Sequence, residues 1–210
     1  MKTIYLVRHS KAIKDSFLTF ENELNDQEKN EKIPLSVEGE ELASQLASTL
    51  FNSNIDYLWS STYERAISTA KYIAKQNNIN INITDLFNER KLGDTKNIKD
   101  DFWLTQLKDQ NAAAPEGESQ KEVRTRMITG LQNVLNNIED NTQTVIVTHA
   151  TAMTFLLMHW CVLLDATLEG KKRWLTFKGV DVINDSFKTP EVFKLEFDNN
   201  DLINIVRLSI

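Results

Sequence analysis

Two periodicities alternate along the chain. Lys2-Thr3-Ile4-Tyr5-Leu6-Val7 is an unbroken run of mostly β-branched, aromatic and aliphatic residues, the pattern of a strand buried on both faces. It stops at Arg8-His9-Ser10. Residues 14–32 are polar and mostly acidic, a solvated excursion or an exposed helix. Pro34-Leu35-Ser36 then opens a helix, with Ser36 as N-cap and Leu42, Ala43, Leu46, Ala47 and Leu50 as its apolar stripe. Residues 55–59 form a second short strand. Ser61 and Glu64 have capping-box spacing, which predicts a helix from there to about Gln76. Its buried stripe is Ala66, Ile67, Ala70, Ile73 and Ala74. Asn80 to Thr84 alternates like a half-buried strand, Leu86 to Gly93 is a loop, and Asp101 to Lys108 is a short helix.

The second half repeats the alternation. Ser119 and Glu122 again fit a capping box, ahead of a long amphipathic helix carrying Val123, Met127, Leu131, Val134, Leu135 and Ile138. Gln143 to Thr148 is a strand ended by His149. The longest apolar run, Met153 to Leu164, contains His159 and is shorter than the roughly 20 residues a membrane span requires; it reads as a buried helix. The basic run Lys171-Lys172-Arg173 reads as a solvated face. Two strands near 191–197 and 202–208 are joined by the turn Asp198-Asn199-Asn200-Asp201. Strands alternating with helices imply right-handed crossovers, hence an α/β fold of three layers, a largely parallel sheet with helices on both faces. No composition shift, linker or repeat marks a boundary, so the expectation is one domain over residues 1–210.

Composition narrows the function. A chain of 210 residues, 41% hydrophobic, buries roughly 70% of its unfolded surface and needs no disulfide or structural metal for a core. The net charge is -6, from 30 Asp+Glu against 24 Lys+Arg. That balance speaks against a nucleic-acid partner, whose affinity rests on phosphate neutralisation by Lys and Arg. The single cysteine fits a reducing compartment, and Met1 to Arg8 is too short and too soon charged for a secretory signal. The expected setting is the cytoplasm, with no membrane partner.

The candidate chemistry lies with the histidines. There are three, and His9 and His149 each follow the C-terminal end of a predicted buried strand, where open α/β sheets hold their ligands. His159, inside the apolar run, reads as a core or half-exposed residue. Arg8 beside His9 suits an anion, since guanidinium binds phosphate oxygens bidentately and keeps its charge. Arg65 falls in the first turn of the helix opened by Ser61, where N–H groups and the helix dipole also favour anions.

Together these residues resemble the histidine phosphatase superfamily, in its cofactor-dependent phosphoglycerate mutase-like branch. The matching segments are Leu6-Val7-Arg8-His9, Pro34-Leu35-Ser36-x-x-Gly39, and Ser60-Ser61-x-x-x-Arg65-Ala66-x-x-Thr69-Ala70. Glu89-Arg90-x-x-Gly93, Pro115-Glu116-Gly117-Glu118-Ser119 and Val147-Thr148-His149 follow in the family's order. The resemblance implies a phosphoglycerate mutase-like fold and a phosphatase of small phosphorylated substrates. It makes His9 the nucleophile, Glu89 the proton donor to the leaving oxygen, and Arg8, Arg65 and His149 the groups around the transferring phosphoryl. His9 needs one ring nitrogen tied to a backbone carbonyl so that the other is free to attack. No cofactor or metal is implied, and no Cys/His ligand spacing is present.

Two positions depart from the family. Ser10 and Ala150 stand where glycine usually follows each histidine, and both are expected to line the substrate site, Ser10 with its hydroxyl available to phosphate. Lys11, Lys14, Phe17, Phe20, Phe102 and Trp103 are candidates for the roof that selects the leaving group. Two alternatives stand beside the phosphatase: mutase-type phosphoryl transfer, which needs a second anion anchor, and a catalytically silent phospho-ligand-binding protein. A nucleotide switch would require a G-x-x-x-x-G-K-[ST] loop, which the chain lacks.

Overall fold

In the computed structural model, residues 1–14, 24–52 and 54–209 are described. The chain forms β1 (Lys2–Arg8), α1 (Asp26–Glu31), α2 (Val37–Thr49), β2 (Tyr57–Ser60), α3 (Glu64–Asn77), β3 (Ile81–Ile83) and a 3₁₀ turn (Asp85–Phe87). These are followed by α4 (Phe102–Lys108), α5 (Gln120–Asn137), β4 (Gln143–Thr148) and α6 (Ala150–Leu157). The strands β5 (Val162–Ala166), β6 (Arg173–Phe177), β7 (Val180–Ile183), β8 (Glu191–Asp198) and β9 (Asp201–Leu208) complete it.

The main sheet has six strands in the order β3-β2-β4-β1-β8-β9. Its first four strands are parallel, and β8 and β9 join antiparallel. Strand alternation divides the core in two. Ile4, Leu6 and Ile146 face a core shared with α5 and α6, whereas Val7, Val145 and Val147 face the one under α2 and α3. The central strands β1 and β4 are therefore apolar on both faces, which is why they read as continuous hydrophobic runs. No helix among the described residues is long and apolar enough to cross a membrane.

Most of the caps fall where the spacing puts them. Ser36 accepts the Gly39 N–H at 3.0 Å, and Ser119 with Glu122 forms a complete capping box on α5. Of the stripe expected on α2, Ala43, Leu46 and Ala47 are buried and Leu42 and Leu50 half-buried. The turn after β8 places both Asn199 and Asn200 at positive φ, as a tight antiparallel hairpin requires.

Three expectations need correction. The helix α3 begins at Glu64 with Tyr63 as N-cap; the Ser61 hydroxyl accepts the Tyr63 N–H at 3.2 Å but no amide within the helix, and it also bonds Asn88 and His149. On that helix Arg65, Ser68 and Thr69 are buried, while Ile67 and Ala74 are only half so. The apolar run 153–164 is not one helix. The N–H groups of His159 and Trp160 bond to the third carbonyl back rather than the fourth, tightening and ending α6, and Val162–Ala166 then pairs with β6. A short apolar run has no periodicity that separates strand from helix. His159 is thus an exposed turn residue against the Trp160 ring. The third correction follows from the second: β5, β6 and β7 make a separate antiparallel sheet, and Arg173, expected on a solvated face, is only 8% exposed.

Candidate active site

Strand register brings the first elements together. Arg8 pairs with Thr148 across β1 and β4, and Ser60 with Val147 across β2 and β4. The next residue on each strand is His9, His149 or Ser61, so all three emerge on the same carboxyl edge of the sheet. The His9 and His149 rings lie 5.0 Å apart, and both residues are buried.

His9 has a defined tautomer. Its Nδ1 lies 2.7 Å from the Ser10 carbonyl, an acceptor only, so Nδ1 carries the proton and donates. Its Nε2 accepts from Arg65 Nε at 3.1 Å. Burial, followed by the charges of Arg65 and Arg8, holds the ring well below the usual imidazole range against the opposing Ser10 bond. His9 is a neutral imidazole with its lone pair turned toward a guanidinium.

His149 is fixed by a small network. The Thr62 N–H donates to Asn88 Oδ1 at 2.9 Å, and the Ser61 hydroxyl donates to the same oxygen at 2.8 Å. With its proton so engaged, Ser61 Oγ accepts from His149 Nε2 at 2.8 Å. His149 Nδ1 has no partner among the described residues. Burial and the charges of Arg65 and His9 push this imidazole well below its ordinary value too.

Arg65 is placed by α3. Thr69, one turn on, donates to the Arg65 carbonyl at 2.8 Å and accepts the Ser10 N–H at 2.9 Å, tying helix to strand end. Arg65 stacks 4.9 Å above the Tyr63 ring and donates to the Asn30 carbonyl of α1 at 2.5 Å. Gln27 of the same short helix donates to the Tyr63 hydroxyl at 2.6 Å, so α1 is docked against the site.

Glu89 sits at the start of α6. Its carboxylate accepts the N–H groups of Thr151 at 3.2 Å, Ala152 at 2.9 Å and Arg90 at 2.9 Å. The loop that carries it is gripped by Arg126 of α5, which belongs to none of the matched motifs. Arg126 donates to the carbonyls of Leu86, Asn88 and Glu89 at 3.1, 2.9 and 3.1 Å. It also makes a two-pronged pair with Glu118, at 2.7 and 2.9 Å. Burial raises the Glu118 carboxyl, but the Arg126 bond and charge and the Lys91 N–H together hold it below the ordinary carboxylate value. Gly93 explains why the two glycine motifs occur together. It has φ of +70°, and a Cβ there would lie 2.2 Å from the Pro115 carbonyl oxygen and 2.3 Å from the Gly117 nitrogen, so only glycine lets the segments meet.

The two departures from the family pattern prove mild. Neither Ser10 nor Ala150 has positive φ, so neither backbone demands glycine. The Ser10 hydroxyl does not face the site as expected, because it donates to the Gly39 carbonyl at 2.7 Å. Gly39 approaches so closely that a Cβ would meet the Lys11 carbonyl oxygen at 1.9 Å. Ala150 is the first residue of α6 and lines a cavity of ≈ 400 Å³ with Arg8, Arg90 and Arg173. Of the proposed roof, Trp103 lines this cavity and Phe102 packs edge-on against it. Lys11 pairs with Glu38 on the surface, Lys14 is exposed, and Phe17 and Phe20 lie outside the described residues. Among the described residues no three His, Cys, Asp or Glu side chains are grouped to hold a metal ion.

A buried imidazole pair ringed by guanidinium groups at the carboxyl edge of a mostly parallel sheet defines a phosphate-handling α/β enzyme. The sequence pattern of the histidine phosphatase superfamily (branch 1) matches residues 4–172, and the chain belongs to that superfamily and with it to the phosphatases. No curated protein matches by sequence. Solved structures share the fold. YhfR of Bacillus stearothermophilus superposes with a TM-score of 0.70 at 18% identity, over 97% of this chain and 95% of its own. A mycobacterial glucosyl-3-phosphoglycerate phosphatase with inorganic phosphate gives 0.69 at 16% identity, over 100% and 96%. A mutant phosphoserine phosphatase of Entamoeba histolytica with phosphoserine gives 0.68 at 16%, over 100% and 96%.

Proposed function

We propose that the protein hydrolyses a small phosphate monoester without a metal, through a phosphohistidine on His9. The observation that carries this reading is the His9 tautomer: Nδ1–H on the Ser10 carbonyl, Nε2 unprotonated and facing Arg65. Such a nitrogen is a nucleophile at neutral pH without first losing a proton. Nε2 attacks phosphorus, the bond from phosphorus to the ester oxygen breaks, and Glu89 gives that oxygen a proton. Glu89 then takes a proton from the water that attacks the phosphohistidine, releasing phosphate and regenerating the imidazole. Arg8 and Arg65 neutralise the equatorial oxygens, the main requirement of phosphoryl transfer, and His149 borders the same oxygens as a neutral ring that becomes a donor to them on protonation at its unpartnered Nδ1. The backbone amides on Glu89 and the Arg126 grip on its loop hold the carboxylate in a fixed position at the site.

The test is turnover of a panel of phosphate esters in chelator by the wild-type chain and by His9→Ala. We expect hydrolysis that falls at least about 10³-fold in the variant, with labelled phosphate trapped on the wild type in an acid-labile, base-stable form. A wild type no faster than the variant overturns the reading. Faster phosphoryl transfer between monophosphoglycerates than hydrolysis, with bisphosphoglycerate present, makes the protein a mutase instead.

A further inference from the structure

The ≈ 400 Å³ cavity beside His9 is lined by three guanidinium groups, those of Arg8, Arg90 and Arg173. Each is held from behind. Arg8 donates to the carbonyls of Phe187 and Lys188 at 3.0 and 2.8 Å. Arg90 lies 4.5 Å over the Trp103 ring and bonds to Gln106. Arg173 lies 4.9 Å from the Phe187 ring centre, bonds to Thr154 and donates to the Gly170 carbonyl at 2.7 Å. Planar groups stacked on rings and anchored at one edge present their remaining donors in a fixed direction.

The carboxylates of Glu89, Glu118 and Glu191 act on these charges only through space. None of the three is in an ion pair among the described residues, and in each the Nε is buried without a hydrogen-bond partner. The neighbouring carboxylate of Glu89 is engaged by backbone amides. Burial lowers the affinity of all three guanidinium groups for their protons, Arg173 to about 10, yet all stay charged at neutral pH. Gathering three like charges in a half-enclosed cavity is unfavourable unless an anion completes it. Arg8 borders both this cavity and His9, and Arg173 lies just beyond residues 4–172 matched by the superfamily pattern. It is supplied by β6 of the small antiparallel sheet.

We propose that Arg90 and Arg173, with Arg8 at the boundary, form a subsite for a second anionic group, carboxylate or phosphate, on the leaving alcohol. The substrate is then a phosphomonoester of an alcohol that is itself an anion. This rests on the phosphatase reading above, and it makes Arg90 and Arg173 specificity residues rather than catalytic ones.

The test uses two esters that differ in one group: 3-phosphoglycerate, with a carboxylate, and glycerol 3-phosphate, with a hydroxymethyl. We expect kcat/KM for the first to exceed that for the second at least about tenfold, and the ratio to collapse in Arg173→Gln and in Arg90→Gln. Arg173→Lys, which keeps the charge, retains part of it. Propanediol bisphosphate in the same assay tells phosphate from carboxylate as the preferred anion. Equal rates on all three esters, or a preference that both Gln variants keep, overturn the proposal. Circular dichroism checks folding, and if Arg173→Gln fails to fold, Arg90→Gln and Arg173→Lys decide. Should no ester be hydrolysed, the phosphatase reading fails by itself. Calorimetric titration of His9→Ala with the same esters then judges the subsite, supported by tighter binding of the anionic esters and overturned by equal binding.

Discussion

The two sheets contribute to the site in different ways. His9 and His149 follow parallel strands of the main sheet, and Glu89 reaches the same edge on a loop anchored to it by the Thr148 hydroxyl, which donates to the Phe87 carbonyl at 2.7 Å. Backbone groups orient two of them, the Ser10 carbonyl for His9 and the α6 amides for Glu89, and the Ser61 hydroxyl orients His149. Arg173 comes from the small antiparallel sheet and is oriented by stacking on Phe187 together with its bonds to Thr154 and the Gly170 carbonyl. Groups that perform a reaction need positioning to a fraction of an ångström, which backbone partners on rigid elements supply. Of the two groups proposed to select the leaving alcohol, Arg173 comes from the small sheet and Arg90 from the loop of Glu89.

The comparison is sharpened most by Glu89→Gln. The amide keeps the shape but has no acidic proton to give, so kcat on an alkyl phosphate is expected to fall about 10²–10⁴-fold. The fall on p-nitrophenyl phosphate is expected to be much smaller, since nitrophenolate leaves without a proton. Equal losses on the two substrates would mean that Glu89 positions and does not protonate.

Arg126→Met tests whether the backbone-held half depends on that loop. It removes three carbonyl bonds and strands Glu118, so stability should drop by roughly 2–3 kcal/mol in urea unfolding. We expect kcat to fall with it while the preference between 3-phosphoglycerate and glycerol 3-phosphate stays. Loss of that preference in Arg126→Met would break the division between the two sheets.

The smallest effect is on pH. His9 and His149 are held well below the ordinary imidazole value of 6.5 by burial and by nearby guanidinium charges. As pH falls through about 6.5 the unfolded chain takes up protons that the folded chain refuses, so stability is lost below that pH and retained above it. The urea midpoint should decline between pH 7 and pH 5, by on the order of 1 kcal/mol per histidine. His149→Asn should flatten the decline, and an unchanged slope would show that His149 is not buried as a neutral ring.

Much of this was legible in the chain of residues because it is local. The run 2–7, the caps Ser36 and Ser119 and the helix spacing of α5 all report on neighbours within a turn or on two buried faces, and the motif residues follow the strand ends. What was illegible depends on partners far along the chain. Ser61 has the spacing of a cap, yet Asn88 and His149 claim its hydroxyl. Val162 and Leu163 extend an apolar run, yet β6 claims them as a strand. Arg126 lies outside every motif, and only its 37-residue reach back to the Glu89 carbonyl distinguishes it.

The sequence by itself therefore determined the alternation of strands and helices, and which residues would stand at the ends of the buried strands, because periodicity and capping are properties of adjacent residues. Only the tertiary structure decided which nitrogen of His9 is free, where the Ser10 hydroxyl turns, and that Arg173 is buried beside Arg8. Those outcomes rest on hydrogen bonds and desolvation, which exist only once distant segments have closed around a group and excluded water from it.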